Sequence, residues 1–233
     1  TTGESKQIEA IRIQLTGELE KSYDIYYRVH VEDIGWMDWA SNGKAAGTAG
    51  YGYQIEAIEI RLLEKDEKAP GSTEKSFVQK HYLKYRTHVA DYGWLSEVYE
   101  KNISGTIGKC KQMEAITISL VNQLYEGSIE YQAHVEDIGW QSWRENGVSA
   151  GTTKQSKQME AIKIRLTGDM SNHYDIYYRV HIEDYGWLDW AKNGEKAGSE
   201  GMSKRIEAIE ITLVEKNGEV PKSTTSQPAF YKR

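Results

Sequence analysis

Two kinds of alternating stretch recur along this chain. In residues 22–31, Ile25, Tyr27, Val29 and Val31 fall on one face, and Asp24, Tyr26, Arg28, His30 and Glu32 on the other. Period two, with tyrosine, valine and isoleucine on the apolar side, predicts a half-buried strand, here termed the opening strand. Residues 6–15 also alternate, with Glu9, Ile11, Ile13 and Leu15 on one face and Ile8, Ala10, Arg12 and Gln14 on the other. They predict a second kind, the closing strand, which returns at 54–62. Residues 33–48, DIGWMDWASNGKAAGT, join the two kinds. Gly35, Asn42-Gly43 and Gly47 mark them as turns, since glycine takes positive φ without a Cβ clash and Asn-Gly is a strong turn signal. Trp36 and Trp39 stand three residues apart, and a single helical turn is predicted to bring them to one side.

The strand–loop–strand pattern of 23–62 returns at 82–120, 129–166 and 174–213. Its interior spacing does not vary: His30, His88, His134 and His181 precede Trp36, Trp94, Trp140 and Trp187 by one interval, and these precede Glu56, Glu114, Glu160 and Glu207 by another. Only the joints between repeats change length, as expected when loops absorb insertions between folded supersecondary pieces. The second repeat diverges most, with Ala90, Glu97 and Glu100-Lys101 where the first has Glu32, Trp39 and Asn42-Gly43. A longer period lies over the short one, because 6–65 resembles 157–216 almost residue for residue. The expected organisation is therefore an array of three-repeat domains in a longer protein. Residues 1–66 would be the end of a preceding domain (one full repeat plus a leading strand), 67–74 a charged Pro-Gly linker, and 75–233 a whole three-repeat domain. No secretory leader heads the sequence, in keeping with an excised segment.

The predicted fold class is all-β: repeats of two-strand units with Gly-rich Trp loops, three to a pseudo-threefold prism or barrel-like domain. Closing the repeats on one another removes exposed strand edges. A linear β-solenoid array is the alternative.

The run HVEDIGWMDWASNGKAAGT followed by QIEAIEIRL resembles the ChW repeat, the clostridial hydrophobic repeat with a conserved tryptophan. The Gly-Trp pairs carrying the resemblance are Gly35-Trp36, Gly93-Trp94, Gly139-Trp140 and Gly186-Trp187. Gly47-Thr48, Gly105-Thr106 and Gly151-Thr152 supply the Gly-Thr element, weakened to Gly198-Ser199. Glu-Ala-Ile starts at Glu9, Glu56, Glu114, Glu160 and Glu207. The resemblance covers nearly the whole chain outside the linkers. It implies a secreted or bacterial cell-surface protein in a multi-repeat array, and it brings no catalytic residues. Some surface proteins of gut Clostridia with such repeats look like binders of host immunoglobulin, of the B-cell superantigen kind. The resemblance thus implies a host protein partner, most specifically immunoglobulin Fab, with a glycan-binding adhesin or a structural spacer as alternatives.

Composition narrows the chemistry further. The 233 residues carry a net charge of −6 with no basic patch, against a nucleic-acid partner. Mean hydropathy is −0.68, and no apolar run is long enough for a membrane helix. Cys110 is the only cysteine, which excludes an intrachain disulfide and a cysteine-ligated zinc site. The cluster His30, Glu32, Asp33 holds groups suited to acid–base or metal chemistry. It recurs along the chain, whereas one active site needs one constellation, and alternation sets His30 and Asp33 on opposite faces. His30, His88, His134 and His181 are therefore read as structural, hydrogen-bonded to a neighbouring strand or loop. Glu9, Glu56, Glu114, Glu160 and Glu207 share a face with isoleucines by strict alternation, so each carboxylate needs donors, from the Gly-Trp loop or the histidine. Trp36, Trp94, Trp140 and Trp187 are read as core anchors. Trp39, Trp143, Trp190, Tyr26, Tyr177, Tyr51 and Tyr185 are the candidate binding residues, because tryptophan and tyrosine dominate binding hot spots. No enzyme, metal or cofactor motif is present, and a non-catalytic protein without a cofactor is expected.

Overall fold

The computed structural model describes residues 6–233, which divide into two compact lobes, one ending at Lys80 and one spanning His81–Arg233. Apart from single helical turns at Leu19–Ser22 and Met170–His173, the regular structure is all β. In each repeat an opening strand pairs antiparallel with its closing strand: Tyr23–Val31 with Ile55–Glu64, Leu83–Val89 with Met113–Leu120, Ile129–Val135 with Met159–Leu166, and Tyr174–Ile182 with Ile206–Glu215. The apolar face predicted for the first opening strand is the buried one, since Ile25, Tyr27, Val29 and Val31 all sit in the N-terminal core. No helical turn joins Trp36 to Trp39; short strands at Gly35–Trp36 and Ala40–Ser41 instead pair with the opening strand.

One register feature overturns the expected facing of the glutamates. Opposite each histidine the ladder skips one residue: His30 faces Ala57 while Val31 faces Ile55, leaving Glu56 unpaired. Glu114, Glu160 and Glu207 are skipped in the same way. Such a β-bulge re-aims the extra side chain. It turns the carboxylate away from the isoleucines and onto the histidine on the outer face.

In the C-terminal lobe each repeat lends its short loop strand to a neighbour. Ala150–Gly151 pairs with Met113–Leu120, Ala197–Glu200 with Met159–Leu166, and Ile103–Gly105 with Ile206–Glu215. The fourth repeat therefore meets the second, and one apolar cluster runs through the second, third and fourth. The hydrogen bonding stays divided among separate sheets and does not continue as a closed barrel. The Gly-Thr element is the joint. Gly151 has φ 98°, and a Cβ there would stand 2.2 Å from the carbonyl oxygen of Glu114. The amide of Thr152 then donates to that same oxygen at 2.8 Å. Only glycine lets the backbones approach this closely.

The domain boundary differs from the expected one. Phe77–Gln79, assigned from sequence to the second domain, runs parallel to Ala46–Ala49 in the N-terminal lobe. The preceding residues are not a free linker. Trp39 N–H donates to Ser72 O at 2.9 Å, and Asp38 Oδ2 accepts from Ser72 Oγ at 2.7 Å and Lys75 N–H at 2.9 Å. This strap has a counterpart in Phe230–Lys232, which runs parallel to Ala197–Glu200.

Candidate binding faces

The bulge places a histidine–carboxylate pair on every repeat. Nδ1 to Oε2 separations are 2.9 Å for His30–Glu56, 3.0 Å for His88–Glu114, 3.2 Å for His134–Glu160 and 3.1 Å for His181–Glu207. Glu9, the leading glutamate, instead accepts from the Gly52 amide at 3.1 Å. Each histidine ring meets its Gly-Trp indole edge to face, with centroids 5.3–5.6 Å apart. Only His30 Nδ1 makes a hydrogen bond with its glutamate; in His88, His134 and His181 the buried Nδ1 lies within ion-pair distance of the carboxylate but makes no hydrogen bond.

The tryptophans do not sit where the sequence reading put them. Trp36 is 47% exposed and Trp94, Trp140 and Trp187 are half-buried, so none is a core anchor. They lie on the outer face because each pairs with the histidine position of the opening strand, which alternation directs outward. The core is held instead by Tyr27, Tyr85, Tyr131 and Tyr178, all at most 1% exposed. Tyr131 shows their role: its hydroxyl donates to Val148 O at 2.6 Å and accepts from the Ile118 amide of the previous repeat at 3.1 Å. Tyr85 does the same for the Ile211 amide, at 3.1 Å. A tyrosine recurring on the apolar face three residues before each histidine was the available signal, since a buried phenol needs a partner.

Cations complete the outer faces. The Arg28 guanidinium lies 4.8 Å from the Trp36 ring and 4.9 Å from the Trp39 ring, paired to Glu59 at 2.7 Å. Arg179 repeats this with Trp187 at 4.8 Å, Trp190 at 4.7 Å and Glu210 at 2.7 Å. In the third repeat the task is split, Lys163 covering Trp140 and Arg165 covering Trp143, each at 4.2 Å. In the second, Arg86 covers Trp94 at 4.9 Å and Glu97 pairs with Lys84 at 3.0 Å. Each such contact is worth about 0.5–1 kcal/mol at an exposed site. The face is therefore a preset ladder of indole, guanidinium and carboxylate. Trp140 Nε1 also donates to Glu200 at 3.2 Å, and hydrogen bonds from Lys196 and then Trp140 hold that carboxyl down at about 2.

The predicted binding residues divide. Trp39 is only 4% exposed, sealed beneath the strap, where Gly71 passes so close that a Cβ would stand 3.2 Å from the indole. It is not available to a partner. Trp143 and Trp190 stay half-buried on the outer faces, and Trp190 lines an open hollow of about 430 Å³ with Lys101, Leu213 and Pro221. Tyr26 and Tyr177 flank the ladders, Tyr177 beside Lys192. Tyr51 is exposed and stacks on Tyr53 at 5.6 Å. Tyr185 leans on Tyr231 at 4.8 Å, against the C-terminal core. Tyr26, Trp39 and Tyr51 belong to the N-terminal lobe, and Trp143, Tyr177, Tyr185 and Trp190 to the third and fourth repeats of the C-terminal lobe.

No curated protein and no solved structure matches the chain. The family model described as "Clostridial hydrophobic W" matches residues 30–64, 88–122, 134–168 and 181–215, more than half of the chain. Every match opens on the histidine of the outer-face pair and runs through the closing strand. ChW repeats are typical of bacterial cell-surface proteins, and among the described residues no helix is long and apolar enough to cross a membrane. With its tryptophan, its Gly-Thr joint and its bulged glutamate each placed in a repeating unit, the chain belongs to the ChW family.

Proposed function

We propose that this is a non-catalytic binding protein of the bacterial cell surface, engaging an extracellular host ligand through its outer faces. The observation that carries this reading is the indole–cation ladder, built in advance and left partly open to solvent in every repeat. Aromatic rings fixed by neighbouring charges lose little freedom on contact, which favours binding. A protein ligand, most specifically an immunoglobulin variable domain, fits the family resemblance. Exposed tyrosines that do not recur at equivalent positions, Tyr51 on the N-terminal lobe and Tyr99 on the C-terminal lobe, support it, because either can mark the unrepeated patch that a protein epitope needs. A glycan is the second reading, favoured by the recurrence of equivalent tryptophans, which offers several copies of one subsite.

Biosensor binding to polyclonal human Fab, beside a glycan array, separates the two. The immunoglobulin reading expects binding to Fab and not to Fc, lost on Tyr51→Ala or Tyr99→Ala. The glycan reading expects array signal reduced stepwise by Trp140→Ala and Trp187→Ala. Silence in both assays discards the binding function and leaves a structural spacer.

A further inference from the structure

The closing strand Ile55–Glu64 of the first repeat leaves Ile58, Ile60 and Leu62 exposed at 45%, 52% and 49%. Its counterpart in the fourth repeat carries isoleucine and leucine at the same places, yet Ile209 and Ile211 are fully buried and Leu213 packs on the core. Register does not explain the difference, since Ile58 faces Val29 just as Ile209 faces Val180. The neighbour does. On the fourth repeat, Gly105 lies opposite Ala208 and Ser104 opposite Ile209. Thr106 N–H donates to Glu207 O at 2.8 Å, Lys101 N–H to Ile211 O at 2.9 Å, and Ile211 N–H to the Tyr85 hydroxyl at 3.1 Å.

Two independent features put the first repeat in the position of the fourth. Both are followed by a strap whose strand runs parallel to the loop strand, and among the described residues the second and third repeats have none. Ala10–Ile11 also pairs with Ala46–Ala49 as Met159–Leu166 pairs with Ala197–Glu200.

We propose that the N-terminal lobe is the final third of a three-repeat body, and that the Ile58–Ile60–Leu62 face seats a further ChW repeat of the same polypeptide, placed ahead of Lys6. The occupant's chemistry follows from the fourth repeat. A Gly-Thr strand pairs along Ala57–Glu59, its threonine amide donates to Glu56 O, and a buried tyrosine hydroxyl accepts from Ile60 N–H. Chain order follows too, because residues 6–15 are a closing strand and every repeat places its opening strand first. An apolar strand face with an open edge is otherwise a liability for edge-to-edge association.

The test replaces residues 1–5 with residues 81–156 directly ahead of Lys6, so that the junction reproduces Ser156–Lys157. Amide exchange at Ile60 is expected to slow by about 100-fold or more relative to the parent chain, as a solvent-facing strand edge becomes core. The same extension with Gly105→Ala in the added segment is expected to lose that protection. Ile60→Ser is expected to lower the melting temperature of the extended chain while leaving the parent unchanged. Unslowed Ile60 exchange, in an extended chain whose Ile211 stays protected, overturns the proposal. So does a concentration-dependent dimer of the parent chain that protects Ile60, which would make a second copy the occupant.

Discussion

Tyr131→Phe isolates the stitch between repeats. The substitution keeps the ring and removes one oxygen, so it opens no cavity of consequence. That oxygen serves two backbone groups: it accepts from Ile118 N–H at 3.1 Å and donates to Val148 O at 2.6 Å. The two losses are unequal. Ile118 is fully buried, and its amide has no water to turn to, at a cost of about 1–3 kcal/mol. Val148 is 53% exposed, so its carbonyl is rehydrated cheaply. Removing the buried hydroxyl also removes its own desolvation cost, which returns part of the loss. The net expectation is about 2 kcal/mol, a large fraction of the stability of an ordinary domain. Urea unfolding should show a lower midpoint at unchanged slope, and exchange of the Ile118 amide should quicken. Tyr99→Phe is the control, since that tyrosine is exposed and stacks on His81 at 4.3 Å. A Tyr131→Phe loss under about 0.5 kcal/mol, with Ile118 exchange unchanged, would refute the stitch.

Gly151→Ala should destabilise the C-terminal lobe by roughly 3 kcal/mol or more, because a Cβ at 2.2 Å from Glu114 O forces two backbones apart; a near-normal calorimetric melt would contradict this. Asp175 gives a pH test. Burial alone would raise its pKa, but hydrogen bonds from Lys216, Asn193 and Lys192 overcome that and hold it at about 2, against an ordinary 3.8. A carboxyl depressed in the folded state stabilises above its unfolded pKa and loses that contribution as pH falls toward the folded one. Asp175→Asn should therefore cost about 1–2 kcal/mol at pH 7 and nearly nothing at pH 2, read as converging melting temperatures. Glu160→Ala should destabilise by about 1 kcal/mol, since the carboxylate accepts from Gln158 Nε2 at 3.3 Å and lies 3.2 Å from the mostly buried His134 Nδ1; an unchanged melting temperature would remove the structural role of the pair. Trp36→Ala, on a face open to solvent, should cost less than Trp187→Ala, and denaturation of the two variants compares them directly.

The repeat, the strands and the inward face of the opening strand were legible without a structure. Ile25, Tyr27, Val29 and Val31 are buried because period two on a pleated backbone admits only two faces, and one of them is apolar. The Gly-Thr signal was visible as well, though not its purpose. What alternation cannot carry is a skipped residue or the identity of a neighbour. The bulge at Glu56, Glu114, Glu160 and Glu207 reverses the facing of a side chain without altering the letters around it. Trp36 and Trp39 differ in burial because the strap crosses one and not the other, a contact between residues distant in the chain. Ile60 and Ile211 are the clearest pair: the same residue in the same register, one exposed and one buried, according to which strand lies beside it. Sequence determines what each strand offers on its two faces, and tertiary structure decides which offers are taken up, because burial is a property of the partner as much as of the residue.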